Sequence, residues 1–486
     1  MLNVTFSSQQ EANLYIGKVE IQNEEYGYIN PWKNEARPIF NIWIGCNPEI
    51  HEKYDLFLHH NHENPPSISM KDLSISLKPS FEFLKEMIGK ARFKVMRRQP
   101  SPILEKLCRQ FSLAELKAAT NSFHENKILA EGTFGTVYKG IINDGSHGSL
   151  DVALKRFNKS KSFHSGVEEF RTELELLCQL RHPNIVSLIG FCNEKGEMIL
   201  VYEYMSYGSL RDHIIQRMPA HMLPWKLRLK ICIAETRGLH YLHTGAKYAI
   251  IHRDFKSASI LLGENWVVKI SHLELSKIGP LSTAKPKASI KMESRIAGTI
   301  IYMAPEYARH GELSEKCDVF SLGVILFEVL CGRLAYDEYG FFPERNLVAW
   351  SYKCLRAGNV YDIIDPYLRG KIAPDCLVKF VEIAYSCLHP KASERPSLGE
   401  VELTLELALE LQQKADSVVK AVDTHDGYAY QEVLLHLSSR DHDECLYKLD
   451  DIHSLVMERP GSWHYDWATS HSIIGNSKDC SGTKRT

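Results

Sequence analysis

Hydrophobic and polar positions change rhythm twice along the chain. In residues 1–105, aromatic and β-branched residues alternate with turn formers, as in Phe40-Asn-Ile-Trp-Ile44 and the period-two run Leu73-Ser-Ile-Ser-Leu77. That pattern predicts short strands. Asn64-Pro-Pro and the basic stretch Lys90–Arg98, followed by Gln-Pro-Ser-Pro, read as loop or linker. From Phe111 the period lengthens, and Phe111 to Phe123 predicts an amphipathic helical lead-in. Val319–Cys331 is apolar all round apart from Glu328, as in a helix buried in a core. The leucines of Val401–Ala415 recur at helical spacing. Beyond them a short helix is predicted over Gln431–Leu437, within a polar, His/Asp-rich tail. Four regions follow: a β-rich region 1–105, a lead-in 106–124, a large mixed domain 125–411 and a tail 412–486.

Composition narrows the class. With 486 residues, 44% hydrophobic and 24% charged, the chain has the make-up of a soluble globular protein. A net charge of −2 gives no global attraction to nucleic acid or an anionic membrane. No apolar run reaches the roughly 20 residues that span a bilayer, and Met1-Leu-Asn-Val-Thr-Phe lacks the basic and apolar segments of a signal peptide. Twelve cysteines without a Cys-x-x-Cys pair suggest neither a zinc site nor a disulfide framework, so a reducing cytosol fits. Histidines of the tail such as His442 and His453 lack a partner set at fixed spacing and read as solvated loop residues.

The chemistry is concentrated between. Leu129-Ala-Glu-Gly-Thr-Phe-Gly-Thr-Val137 resembles a protein-kinase glycine-rich loop, with Gly132 and Gly135 present and Ala130 where the first glycine belongs. Side-chain-free backbone lets such a loop lie close over phosphates. Val152-Ala-Leu-Lys155 follows as in the strand carrying the phosphate-binding lysine, and Glu173 falls where its helical partner stands. Leu200-Val-Tyr-Glu-Tyr-Met205 is similar to the strand into the hinge. The resemblance puts Tyr202 at the gatekeeper position, Glu203 and Met205 at the backbone contacting adenine, and Val137, Ala153 and Leu261 in the walls of its pocket.

His252-Arg-Asp-Phe-Lys-Ser-Ala-Ser259 resembles the catalytic loop, with Asp254 as the base and Lys256 beside it. Gly298 to Tyr307 is similar to the end of an activation segment. Glu306 matches its buried glutamate, Arg395 that residue's ion-pair partner, and Asp318 the aspartate bracing the catalytic loop. Ile301 stands where related sequences carry glycine. "LRHPNIVSLIGFC" from Leu180, "RGLHYLHTG" from Arg237 and "CRQFSLAELKAATNSF" from Cys108 resemble plant receptor-like kinases of the Pelle/IRAK type, close to the malectin-like Catharanthus-type receptor kinases. The implied fold is α+β and bilobal, with a β-rich N-lobe and a helical C-lobe.

Both metal ligands of that pattern are replaced: Ser259 stands for Asn, and His272-Leu-Glu274 for Asp-Phe-Gly. Imidazole is a poor ligand for Mg²⁺, which takes hard oxygens in octahedral array, so Mg²⁺ is not expected. Two escapes stay open. A protonated His272 could touch phosphate, and Glu274 could swing into the metal site, although Glu in place of glycine stiffens a turn needing unusual backbone angles. The resemblance therefore implies a signalling scaffold, a pseudokinase that takes ATP without metal and works with other receptor-like kinases. It would be cytoplasmic and reach the plasma membrane through partners. A weakly active serine/threonine kinase is the alternative, and a third reading gives residues 1–105 a ligand-recognition role. Ser282, Thr283, Ser289 and Thr299 are candidate phosphorylation sites or plain loop residues.

Overall fold

The computed structural model describes residues 108–432, apart from 144–147, 159–164, 216–221, 247, 282–289, 292–295, 337–344 and 423–428, together with three short earlier strands. Those strands are β1 (Val19–Ile21), β2 (Phe40–Ile44) and β3 (Asp55–Leu56), paired antiparallel with β2 in the middle. The alternating Phe40–Ile44 run is thus a strand, in register Val19↔Ile44 and Phe40↔Leu56. The expected strand Leu73–Leu77, the basic stretch Lys90–Arg98, Ser282, Thr283, Ser289, His442 and His453 lie outside the described residues. By internal contacts the chain divides into two units, Met1–Pro100 and Ser101–Thr486.

In the larger unit, β4 (Arg109–Gln110), β5 (Ile128–Gly132), β6 (Gly135–Asn143), β7 (Ser149–Phe157), β8 (Leu188–Glu194) and β9 (Glu197–Glu203) form one sheet, ordered β4-β8-β9-β7-β6-β5. Period-two alternation decides its faces. Val152 and Leu154 of β7 point to a core shared with Ile199 and Val201. Ala153 and Lys155 point the other way.

The first face is closed by the lead-in, whose helix α1 (Leu113–Ala119) contributes Leu113 and Leu116. Its start is a capping box: Ser112 Oγ accepts from Glu115 N at 3.2 Å, and Glu115 Oε2 accepts from Ser112 N at 2.7 Å. β4 runs parallel to β8, so close that a Cβ on Gly190 would stand 2.2 Å from the Arg109 carbonyl oxygen. The absence of a disulfide, expected from the cysteine spacing, needs correction: Cys108, one residue before β4, is bonded to Cys178 at the end of helix α2 (Ser165–Gln179). Cysteine spacing could not reveal this pair, whose members stand 70 residues apart in sequence.

The second lobe is helical. At its centre lies α6 (Glu315–Cys331), buried from Cys317 to Cys331 and ended by Gly332 in the left-handed conformation, φ 59°. Around it stand α3 (Leu210–Ile215), α4 (Trp225–His240), α5 (Pro305–His310), α7 (Leu347–Arg356), α8 (Val360–Ile363), α9 (Pro374–Cys387) and α10 (Leu398–Val422). The last helix starts earlier and runs further than the leucine pattern of Val401–Ala415 predicts. Gln431 and Glu432 are not helical; the rest of the expected tail helix lies outside the described residues. The tail returns to the lobe at Tyr430, whose N–H donates to the Gly370 carbonyl at 2.9 Å and whose hydroxyl donates to Asp416 Oδ1 at 2.8 Å.

Candidate functional site

The face of the sheet away from α1 carries Val137, directly opposite Lys155 in the β6–β7 register, and Ala153, opposite Tyr202 in the β7–β9 register. Gly135 belongs to the scaffold, since a Cβ there would meet the Arg156 carbonyl oxygen at 2.2 Å. Gly132 is different. A Cβ on it would meet only the Gly135 carbonyl oxygen, at 3.9 Å, so the turn has room over it. Ala130 lies on β5 at a register shift opposite Val137, its methyl tolerated in half-buried backbone.

Lys155 is buried between two carboxylates. Its Nζ lies 2.8 Å from Glu173 Oε2, as the helical spacing predicts, and 3.0 Å from Glu274 Oε2, which no motif predicts. Burial opposes the lysine's charge, but the two carboxylates outweigh it and hold the ammonium above its ordinary range. Burial lifts Glu173 to about 7, against the pull of Lys155 and helped by repulsion from Glu274. Glu274 feels the same burial, yet Lys155 and His272 bring it down to about 2. Burial beside Glu173 and Glu274 carries the Tyr202 phenol well above its ordinary range.

Neither escape from the lost metal ligands matches this geometry. Glu274 does not reach into a metal site but faces Lys155. Nor does it strain the turn: the left-handed angle falls on His272, φ 65°. His272 is half-buried with no hydrogen bond to Nδ1, and desolvation of the ring lowers its pKa to about 4, so it is neutral at pH 7 and offers phosphate no charge. Ser259 Oγ donates to the Asp254 backbone carbonyl at 3.2 Å. Among the described residues no group of three or more His, Cys, Asp or Glu side chains is placed to hold a metal ion. A neutral nitrogen, an engaged hydroxyl and a lysine-bound carboxylate do not fit Mg²⁺.

The catalytic-loop positions are differently placed. Asp254 Oδ1 accepts from Thr299 N and Thr299 Oγ1, both at 2.7 Å; Asp254 Oδ2 lies 3.0 Å from Lys256 Nζ, which also donates to Thr299 Oγ1 at 2.9 Å. Thr299 thus clamps Asp254 through both its backbone N–H and its hydroxyl. Asp318 holds the loop from below, accepting from His252 N at 2.8 Å, from Arg253 N at 2.9 Å and contacting His243 Nε2 at 2.8 Å. Arg395 and Glu306 form a two-pronged pair at 2.7 and 2.8 Å, with the arginine fully buried. Ile301, in place of glycine, packs half-buried on the core.

Leu261, half-buried on strand β10 (Ile260–Leu262), follows the catalytic loop directly. The Glu203 side chain is turned aside, its Oε1 accepting from Ser187 N at 2.6 Å and lying 2.9 Å from Lys269 Nζ. Met205 is buried next to Gly263, where a Cβ would meet its Cε at 3.1 Å.

A family model for protein tyrosine and serine/threonine kinases matches residues 123–405, more than half the chain. The chain belongs to the protein kinase family. Its kinase region is 46% identical over 334 residues to the receptor-like protein kinase FERONIA of Arabidopsis thaliana, covering 69% of this chain and 36% of that protein. Similarity to receptor-like protein kinases ANXUR2 and ANXUR1 of the same plant is 48% and 47%, over 64% and 66% of this chain and 35% and 36% of theirs. These relatives are Catharanthus-type receptor-like kinases, and the chain spans about a third of their length. Among the described residues of this kinase no helix is long and apolar enough to cross a membrane.

Proposed function

We propose that this receptor-like kinase is a signalling scaffold that keeps the kinase fold without phosphoryl transfer. One observation carries the reading: the Glu274 carboxylate lies against Lys155, the residue that would meet the phosphates of ATP. A carboxylate in that place neutralises the lysine and repels phosphate, while His272 and Ser259 supply no Mg²⁺ site. Val137, Ala153, Leu261 and Met205 remain as apolar wall for an adenine ring, with Glu203 supplying hinge backbone. Nucleotide then binds weakly and without metal. The kinases of the same receptor-like class are the partners this reading favours, met on the cytoplasmic side of the plasma membrane.

A second reading, a slow serine/threonine kinase, is favoured by the Asp254–Lys256–Thr299 arrangement, which keeps a base position in order. Incubation of the full chain with radiolabelled ATP and Mg²⁺ or Mn²⁺ separates the two. The scaffold reading expects no incorporation above that of Asp254→Ala. Incorporation that disappears in Asp254→Ala would sink it.

A further inference from the structure

The Cys108–Cys178 bridge stands apart from every residue used so far. It ties the path by which the chain enters the domain to α2, the helix that carries Glu173. Cys178 is five residues beyond Glu173, in the last turn of that helix. The two Cα atoms are 6.1 Å apart, a separation a disulfide spans. The closed loop holds the glycine-rich turn, Lys155 and Glu173, so the bond acts on the elements that set the pocket.

Neither sulfur is on the surface: Cys108 is 5% and Cys178 2% exposed. Access comes through the strand that follows Cys108. β4 is two residues long and lies at the sheet edge, so it can fray locally while the rest of the lobe stays folded. Cys331, Cys376 and Cys387 are poor competitors, because burial pushes their thiols up to about 12.

We propose that Cys108 and Cys178 form a redox-operated clasp which, when a hydroperoxide oxidises the pair, fixes α2 and holds Glu173 against Lys155. One thiolate attacks the peroxide O–O bond and becomes a sulfenic acid, releasing an alcohol, or water when the oxidant is hydrogen peroxide. The second thiol displaces water from that sulfenic sulfur and closes the S–S bond. Two thiols together lose two protons and two electrons, and the peroxide oxygens take them up. A dithiol reductant reverses the change by exchange. The clasp operates whether or not phosphoryl transfer survives.

The test uses the full chain, treated with hydrogen peroxide or dithiothreitol under native conditions, alkylated and mapped by peptide mass. Peroxide should produce a linked Cys108–Cys178 peptide and dithiothreitol should remove it. Closing a loop of this length should raise Tm by about 5 °C or more in the oxidised form. Hydrogen exchange of α2 should slow in step. Cys108→Ser and Cys178→Ser should each abolish the linked peptide and the redox-dependent Tm shift, whereas Cys192→Ser should retain both. Three results overturn the proposal: both thiols alkylated after peroxide, a bond that native dithiothreitol fails to open, or identical α2 exchange in the two states. Because these comparisons use the unmutated chain, they hold even if a serine variant fails to fold.

Discussion

Replacing Glu274 by Gln isolates the charge that stands between Lys155 and a phosphate. In the structure the Lys155 ammonium is 2.8 Å from Glu173 and 3.0 Å from Glu274, so carboxylates already balance it. A phosphate oxygen brought to this lysine comes within about 4 Å of the Glu274 carboxylate, where like unit charges repel by about 4 kcal/mol at an effective dielectric near 20. That corresponds to roughly a thousandfold in affinity. Water entering with the nucleotide screens part of it, so the expected gain for Glu274→Gln is about thirty- to a thousandfold. Lys155 keeps Glu173, so the variant should fold. The assay is calorimetric titration of ATP into the full chain with chelator present. Affinity within about threefold of the parent refutes the reasoning. A gain in Glu274→Ala but not in Glu274→Gln refutes it too, by showing that shape rather than charge closes the pocket.

Other expectations follow from buried polar groups. Asp318→Ala strips acceptors from His252 N, Arg253 N and His243, and should cost about 3–5 kcal/mol, read as a fall in Tm or in denaturant midpoint; a Tm unchanged within about 2 °C would contradict the bracing role. Arg395→Ala leaves Glu306 without its two-pronged partner and should lower stability by a similar amount, about 3–5 kcal/mol in urea unfolding. Glu235 is fully buried with no hydrogen-bond partner on either oxygen, and burial, then repulsion from Glu328, raises its pKa well above the carboxylate range. Its neutral form is the one the fold prefers. Stability from this group is therefore full below about pH 4.5 and is lost as pH rises toward its raised folded pKa, and Glu235→Gln should remove that decline in urea titrations run upward from about pH 5. His272 has the opposite sign. Its pKa is lowered from 6.5 to about 4, so the unfolded chain takes the proton first and stability is lost as pH falls through that window; His272→Asn should flatten the acid side.

The parts of the fold legible in the sequence are those where a residue type has one job wherever the backbone puts it. Lys155 and Glu173 lie on a strand and a helix whose periods fix their faces, and they meet at 2.8 Å. Asp318, Glu306 and Arg395 are charged residues among apolar ones, and burial forces them to find partners. The apolar helix around Glu328 had to be interior because nothing on it could face water. What escaped depends on distance through space. Cys108 and Cys178 meet where the residue before β4 lies against the last turn of α2, which no spacing encodes. His272 suggested a cation by its type, but desolvation of its ring in the pocket decides its charge.

Glu274 was legible as an acid and illegible as to its partner, and its placement links the two losses. An aspartate at position 272 would direct negative charge toward a metal and, through it, toward nucleotide. Here the negative charge is moved two residues along and turned onto Lys155 itself. A buried lysine with Glu173 alone would sit beside a carboxyl that burial pushes toward neutrality; with Glu274 ionised beside it, the ammonium is balanced when the pocket holds no ligand. The Lys155 charge is then balanced with no nucleotide present. Charge balance at Lys155 thus explains how both metal positions could change while the bracing pairs around Asp318 and Arg395 stayed in place.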